Sequence, residues 1–229
     1  MINKPELNEE EIQKNYDEFI KIIEKSFSGE RKERLLHMYS NDELGVELAI
    51  APASMMEHWH LAQSGGYLIH IMNVIKNAFG VKKLWKEAGA NIDFTDEEMV
   101  FSAMHHDLGK LGDNTGSYYK PQDQAWLQKK GEIYRMNPDI QYMDVTDRAV
   151  YNLQRYGVKY NWKEYVGLKL ADGLYNESNE KYLKSFRPEL RLKTNLPHII
   201  HMADFLSCRS EFDTWNNPKE EKLPVVEKE

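Results

Sequence analysis

Only one cysteine, Cys208, occurs in 229 residues. That excludes an intramolecular disulfide and a zinc cluster built from several thiolates, and it fits a reducing, cytoplasmic setting. Long apolar runs are missing as well: no stretch of about eighteen uncharged apolar residues occurs, and the opening MINKPELNEEEIQKNYDEF lacks the basic and apolar segments of a secretory signal. No membrane partner is expected. Positive charge is in deficit, with 30 Lys and Arg against 37 Asp and Glu and a formal charge of -7. A chain without a Lys/Arg-rich stripe is poorly suited to tracking along a long duplex. A small anion is still within reach, because one metal ion and a few cations can reverse the potential inside a pocket. Internal repeats are absent, and alternating strand patterns are almost absent.

What is present is helical periodicity. Asn8 and Glu11 have the spacing of a capping box, followed by Tyr16, Phe19, Ile20 and Ile23 on one face. A second helix is expected over Glu30 to Tyr39. Pro52 breaks the ELAIAPAS stretch, after which Ser54 is placed to cap a short helix carrying His58 and His60. Gly65 and Gly66 form a permissive joint before a long helix marked by Leu68, Ile71, Met72, Ile75, Phe79 and Leu84. Thr95 and Glu98 repeat the capping-box spacing and open a helix that runs to His106-Asp107. From Asp113 to Gln141 periodicity is weak, and the segment reads as a long active-site loop with one short helix near Gln122 to Lys130. Helices are then expected at Val145 to Tyr156, Trp162 to Leu170 and Leu196 to Phe212. The pattern is all-α: an N-terminal helical extension over 1–45, a main domain over 46–213 and a flexible, charged tail over 214–229.

The chemistry centres on MHHDLGK, Met104 to Lys110. Adjacent helical residues point about 100° apart, so His106 and Asp107 can share an ion only if it lies near the helix surface between them. Further ligands must then come from other helices. His70 lies on an otherwise apolar helix face and Asp204 in the apolar run IIHMADFL, positions where burial is costly unless the group is paired or metal-bound.

These segments resemble the HD superfamily of metal-dependent phosphohydrolases. The matching pieces are GGYLIHIMNV with His70, MHHDLGK with His106 and Asp107, and HMADFLS with Asp204, in the family's order over roughly residues 50 to 210. PASMMEHWHLAQSGGYLIH is also similar to the entry of HD domains in some 3'-to-5' exoribonucleases. The resemblance implies an HD-type helical bundle in which His70, His106, Asp107 and Asp204 bind a divalent ion. Mn, Co, Fe, Zn or Mg would suit that set, with Mn or Fe favoured. Lys110 would orient a phosphate or a ligand. Relatives with two metals supply further histidines from the middle helices, but here no histidine lies between His106 and His198. Asp144, Asp147 and Asp172 are available as substitutes, and a single ion is the simpler expectation.

The implied activity is hydrolysis of a phosphate ester. The missing middle histidines draw the substrate toward a nucleotide, while the exonuclease-like entry draws it toward a short single-stranded nucleic-acid end. In this reading Asp107 orients a water, and Asp172 or Asp147 moves a proton. His58, His60, Lys110 and Arg148 serve a phosphate or sugar subsite, and Tyr118, Tyr119, Lys120 and Trp126 offer stacking surfaces. His201 falls near the Asp204 face. A nucleotide-binding regulatory protein without turnover and a two-iron oxygenase are the other classes, the latter disfavoured by the missing histidines. Oligomeric state is open, a dimer included.

Overall fold

The computed structural model describes residues 6–40, 43–185 and 187–216. Among them the chain is all-α apart from one two-stranded sheet. Helix α1, Glu9–Ser26, opens with the Asn8/Glu11 capping box and buries Phe19 and Ile23. Helix α2, Gly29–Tyr39, adds Leu35, Met38 and Tyr39 to the same core. The apolar side chains of the 1–45 extension thus pack with those of the following helices, among them Ile71 and Phe101.

Helix α3, Leu44–Ile50, was not expected from the sequence. It is only seven residues long and ends before Pro52, so it carries too few turns to show a period. The short helix expected to carry His58 and His60 does not form. Ser54 Oγ donates to the His60 carbonyl at 2.7 Å instead of capping a helix. Backbone groups of Met55 and Glu57 are taken up by residues 131–134: Glu57 N–H reaches Gly131 O, and Met55 O accepts from Ile133 and Tyr134. Bonds of this kind satisfy the backbone without a helix.

Two long helices dominate the main domain. Helix α4, Gly66–Glu87, starts behind Gly65, whose φ of 77° is left-handed; a Cβ on Gly66 would run into the Leu61 carbonyl oxygen. This tight joint places His70 in the second turn. Helix α5, Asp96–His105, is opened by the Thr95/Glu98 capping box. A 3₁₀ turn, Leu108–Leu111, follows directly, and Gly109 lets it approach Val145 where a Cβ would clash with backbone.

The 113–141 region contains strand β1, Tyr119–Pro121, helix α6, Ala125–Gln128, and strand β2, Tyr134–Met136. The strands pair antiparallel with Lys120 opposite Arg135. Strands of three residues are too short to leave an alternating signal, which is why the hairpin reads as loop. Helices α7, Val145–Arg155, α8, Trp162–Lys169, and α9, Glu180–Leu183, follow.

Helix α10, Leu196–Asn216, runs antiparallel to α4: contacts join His70 to Glu211, Asn77 to Ser207 and Trp85 to Met202. It extends beyond the expected end at Phe212. Trp215 is buried and donates to Glu57 O at 2.9 Å, which ties down the first residues of the expected tail; 217–229 lie outside the described residues.

Candidate metal centre

The centre forms where the second turn of α4, the end of α5 and the middle of α10 meet. His70 Nε2 lies 3.6 Å from Asp107 Oδ2 and 3.3 Å from Asp204 Oδ1. His106 Nε2 lies 3.5 Å from Asp107 Oδ2 and 3.6 Å from Asp204 Oδ1. Donor atoms that share one ion through bonds of ~2.1 Å sit roughly 3.0 to 3.4 Å apart, so a small contraction would seat an ion among these four. His70, His106 and Asp107 are all buried and form a group able to hold a metal ion.

The ring nitrogens are already set for this. His106 Nδ1 donates to the Ala103 carbonyl at 2.8 Å, and His70 Nδ1 pairs with Glu211 Oε2 at 2.9 Å. With the proton fixed on Nδ1, each imidazole turns its Nε2 lone pair toward the centre. His106 Nε2 is buried with no hydrogen-bond partner. Orphaned buried nitrogens are uncommon, and this one faces the point between Asp107 and Asp204 where an ion could sit.

Electrostatics agree. Burial lowers the basicity of His70, but Glu211 and Asp204 outweigh it and raise its pKa to about 10. His106 is raised in the same sense, with Asp107 and Asp204 overcoming burial. Burial pushes Asp204 up, yet the facing imidazoles of His106 and His70 bring it well below the usual carboxylate range. Asp107 is likewise lowered against burial, first by Lys110. Without metal, protons on imidazole balance the carboxylates. A divalent ion can take over that task from the same atoms.

Lys110 Nζ contacts Asp107 Oδ2 at 2.6 Å and the Ala53 carbonyl at 3.2 Å, so it holds one Asp107 oxygen. A cavity of about 560 Å³ opens over the centre. His60, His70, Asp107, Lys110, Asp172 and Asp204 are on its wall, and Trp59, Tyr118, Tyr119, Tyr175, Phe205 and Phe212 surround them with aromatic surface. Asp172 has a raised pKa, through burial first and then the Asp107 charge. His60 is lowered to about 4, mainly by burial. His201 also lines the cavity, with Nδ1 donating to Ala171 O at 2.7 Å.

Several residues singled out in the sequence lie elsewhere. Arg148 is fully buried, ion-paired with Asp113 and bonded to Gln141 O at 2.6 Å, so its donors serve the fold. His58 is exposed, edge-on to Trp59, and Asp147 is exposed on α7; neither is on the cavity wall. Lys120 is ion-paired with Asp139, and Trp126 stacks under Lys130 away from the cavity.

Three contributors went unnoticed in the sequence: Cys208, Arg209 and Glu211, all on α10. The signal for two of them was spacing, because Cys208 and Glu211 follow Asp204 by one and two helical turns and share its face.

Comparison of the chain with protein-family models, with curated proteins and with solved structures gives no match. What the fold and the site define is an all-α protein with a buried His/Asp cluster able to hold a metal ion.

Proposed function

We propose that the chain is a metal-dependent phosphohydrolase of HD type whose substrate is a nucleotide. The observation that carries this reading is the convergence of His70, His106, Asp107 and Asp204 on one point at the floor of an aromatic-walled cavity. The two-nitrogen, two-oxygen donor set suits a divalent transition metal, Mn or Fe foremost. Bound there, such an ion supplies Lewis acidity and acidifies a water.

The protein groups divide the remaining work. Lys110 holds Asp107 Oδ2 and places positive charge beside the point where a phosphoryl oxygen would lie. Asp172, on the cavity wall with a raised pKa, keeps its proton to higher pH than an ordinary aspartate and is the group best placed to exchange one with the reacting oxygens. Arg209 lines the cavity with its guanidinium 5.2 Å from the Phe205 ring, a cation and a stacking surface side by side. That pairing suits a phosphate attached to a flat base.

The test is a substrate panel with Mg, Mn, Co, Zn and Fe: ribo- and deoxyribonucleoside mono-, di- and triphosphates, cyclic dinucleotides, and short single-stranded RNA and DNA, with mass-resolved products. Release of phosphate from nucleoside monophosphates, tenfold or more weakened in KM by Arg209→Ala, is the expected result. Stepwise shortening of RNA with monophosphates left intact would replace it with the exonuclease reading. Nucleotide binding without any turnover would replace it with a regulatory role.

A further inference from the structure

The lack of histidines between His106 and His198 favours a single ion, but the fold brings other donors to the space beside the first centre. His60 arrives from the turn before α4, and Cys208 from α10, one turn after Asp204. His60 Nε2 lies 3.7 Å from Cys208 Sγ and 3.8 Å from Glu211 Oε2. Cys208 Sγ lies 3.4 Å from Asp204 Oδ1, the same oxygen that faces His70 and His106. An imidazole nitrogen and a thiolate sulfur on one tetrahedral ion, with bonds of ~2.05 and ~2.3 Å, are about 3.6 Å apart. The His60–Cys208 separation matches that spacing.

We propose that His60 and Cys208, sharing Asp204 Oδ1 with the first centre, form a second metal position that takes a borderline-soft divalent ion such as Zn, Co or Fe. It rests on the first centre being a metal site, and it replaces the expectation of one ion per chain. The donor atoms of His60, His70 and Cys208 lie within 4.8 Å of one another; because His70 Nε2 faces the first position and its Nδ1 is bonded to Glu211, the proposal leaves His70 with the first ion. Glu211 stays outside as the group that orients His70.

Charge supports the second position. Asp107, Asp172, Asp204 and Glu211 bring four carboxylates to this region, with Lys110 the one cation bonded into the cluster. One divalent ion plus Lys110 supplies three positive charges against four negative. A second ion brings two more positive charges and the Cys208 thiolate one more negative, five against five, so it removes the negative excess that would repel an anionic substrate. Binding exchanges the thiol proton for the ion, so one proton is released to solvent as the metal–sulfur bond forms. The sulfur is what makes the site selective, because thiolates favour softer ions over Mg.

Titrating the metal-free full-length chain with Co(II), in the presence of a non-thiol reductant, tests this directly. Two equivalents should bind, one of them raising a near-ultraviolet thiolate-to-cobalt charge-transfer band. Cys208→Ser, nearly the same size, and His60→Gln should each bind one equivalent, the serine variant with no band, while circular dichroism stays native. One equivalent bound by wild type without the band would overturn the second position and leave the first standing. So would two equivalents unaffected by Cys208→Ser. No Co(II) binding at all would remove the first centre too, and the proposed function with it. Metal content and spectrum are read without turnover, so a protein that binds two ions and hydrolyses nothing still supports the site.

Discussion

His70 Nδ1 and the Glu211 carboxylate, 141 positions apart in the chain, lie 2.9 Å from each other across the α4–α10 interface. The other Glu211 oxygen accepts from Asn73 Nδ2 at 2.8 Å, so the carboxylate is fixed at both ends. The contact decides which His70 nitrogen is free to face Asp107 and Asp204. Glu211→Ala should therefore weaken metal binding about 10- to 100-fold, the usual cost of losing a ligand-orienting partner. Competition against a chromophoric chelator measures it; unchanged affinity would mean that His70 is oriented by packing alone.

Lys110 contacts Asp107 Oδ2 but no other centre residue by hydrogen bond. On the cavity wall, its ammonium would stabilise charge developing at a phosphoryl oxygen in the proposed reaction. Lys110→Ala is expected to lower kcat about a hundredfold, comparable to deleting a transition-state donor, with metal content unchanged. Steady-state kinetics and metal analysis on the same preparation separate the outcomes. Loss of metal would make Lys110 a structural support of Asp107, and unaltered constants would place it outside the site.

Arg148 and Asp113 form a buried ion pair, 1% and 3% exposed, well inside the fold. Removing one partner of such a pair leaves a buried charge unmatched, which typically costs about 3 to 5 kcal/mol. Arg148→Leu should be destabilised by that amount in urea unfolding, while the folded variant binds metal as the wild type does. An Arg148 variant of wild-type stability that binds substrate poorly would reverse the assignment and return Arg148 to the site.

The fold was legible wherever a long period or a cap was written into neighbouring residues. The Asn8/Glu11 and Thr95/Glu98 boxes and the apolar stripes of α4 and α10 are local signals, and the helices form where those signals lie. Legibility failed where distant backbone supplied the partners. Ser54 has the look of a cap, but residues 131–134 bond the segment that follows it, and nothing near Ser54 announces them. The site shows the same division. His70, His106, Asp107 and Asp204 stood out as polar residues in apolar helices, and the structure brings them together. Arg148 stood out for its charge, yet its partner Asp113 lies 35 positions away, and only the fold shows the pair. Cys208 and Glu211 needed the α10 face to be read as a unit with Asp204.

His105, beside the proposed ligand His106, yields a prediction about acid stability. It is fully buried, its ring centroid 4.3 Å from that of Phe101 and 6.0 Å from that of Tyr39. Nδ1 donates to the Phe101 carbonyl at 2.7 Å, and Nε2 has no partner. Burial, reinforced by the charges of Arg31 and His106, lowers its pKa to about 3. The folded pKa thus lies below the unfolded value of ~6.5, so the neutral ring's contribution is complete above pH ~6.5 and is lost as pH falls toward 3. The slope from this one group rises from about 0.7 kcal/mol per pH unit near pH 6.5 toward roughly 1.4 well inside the window. His70 does not mask the effect, because with a folded pKa of about 10 it is protonated in both states below ~6.5. His60, lowered to about 4, adds a similar slope, but it is common to wild type and variant and cancels in their difference. Urea unfolding of chelator-treated wild type and His105→Leu between pH 6.5 and 5 isolates the term, and metal loss cannot contribute. The leucine variant should lose about 1.1 kcal/mol less per pH unit over this range, whatever its stability at neutral pH. Parallel stability curves would show that His105 protonates in the folded protein near its ordinary pKa, and that the core around Phe101 admits water.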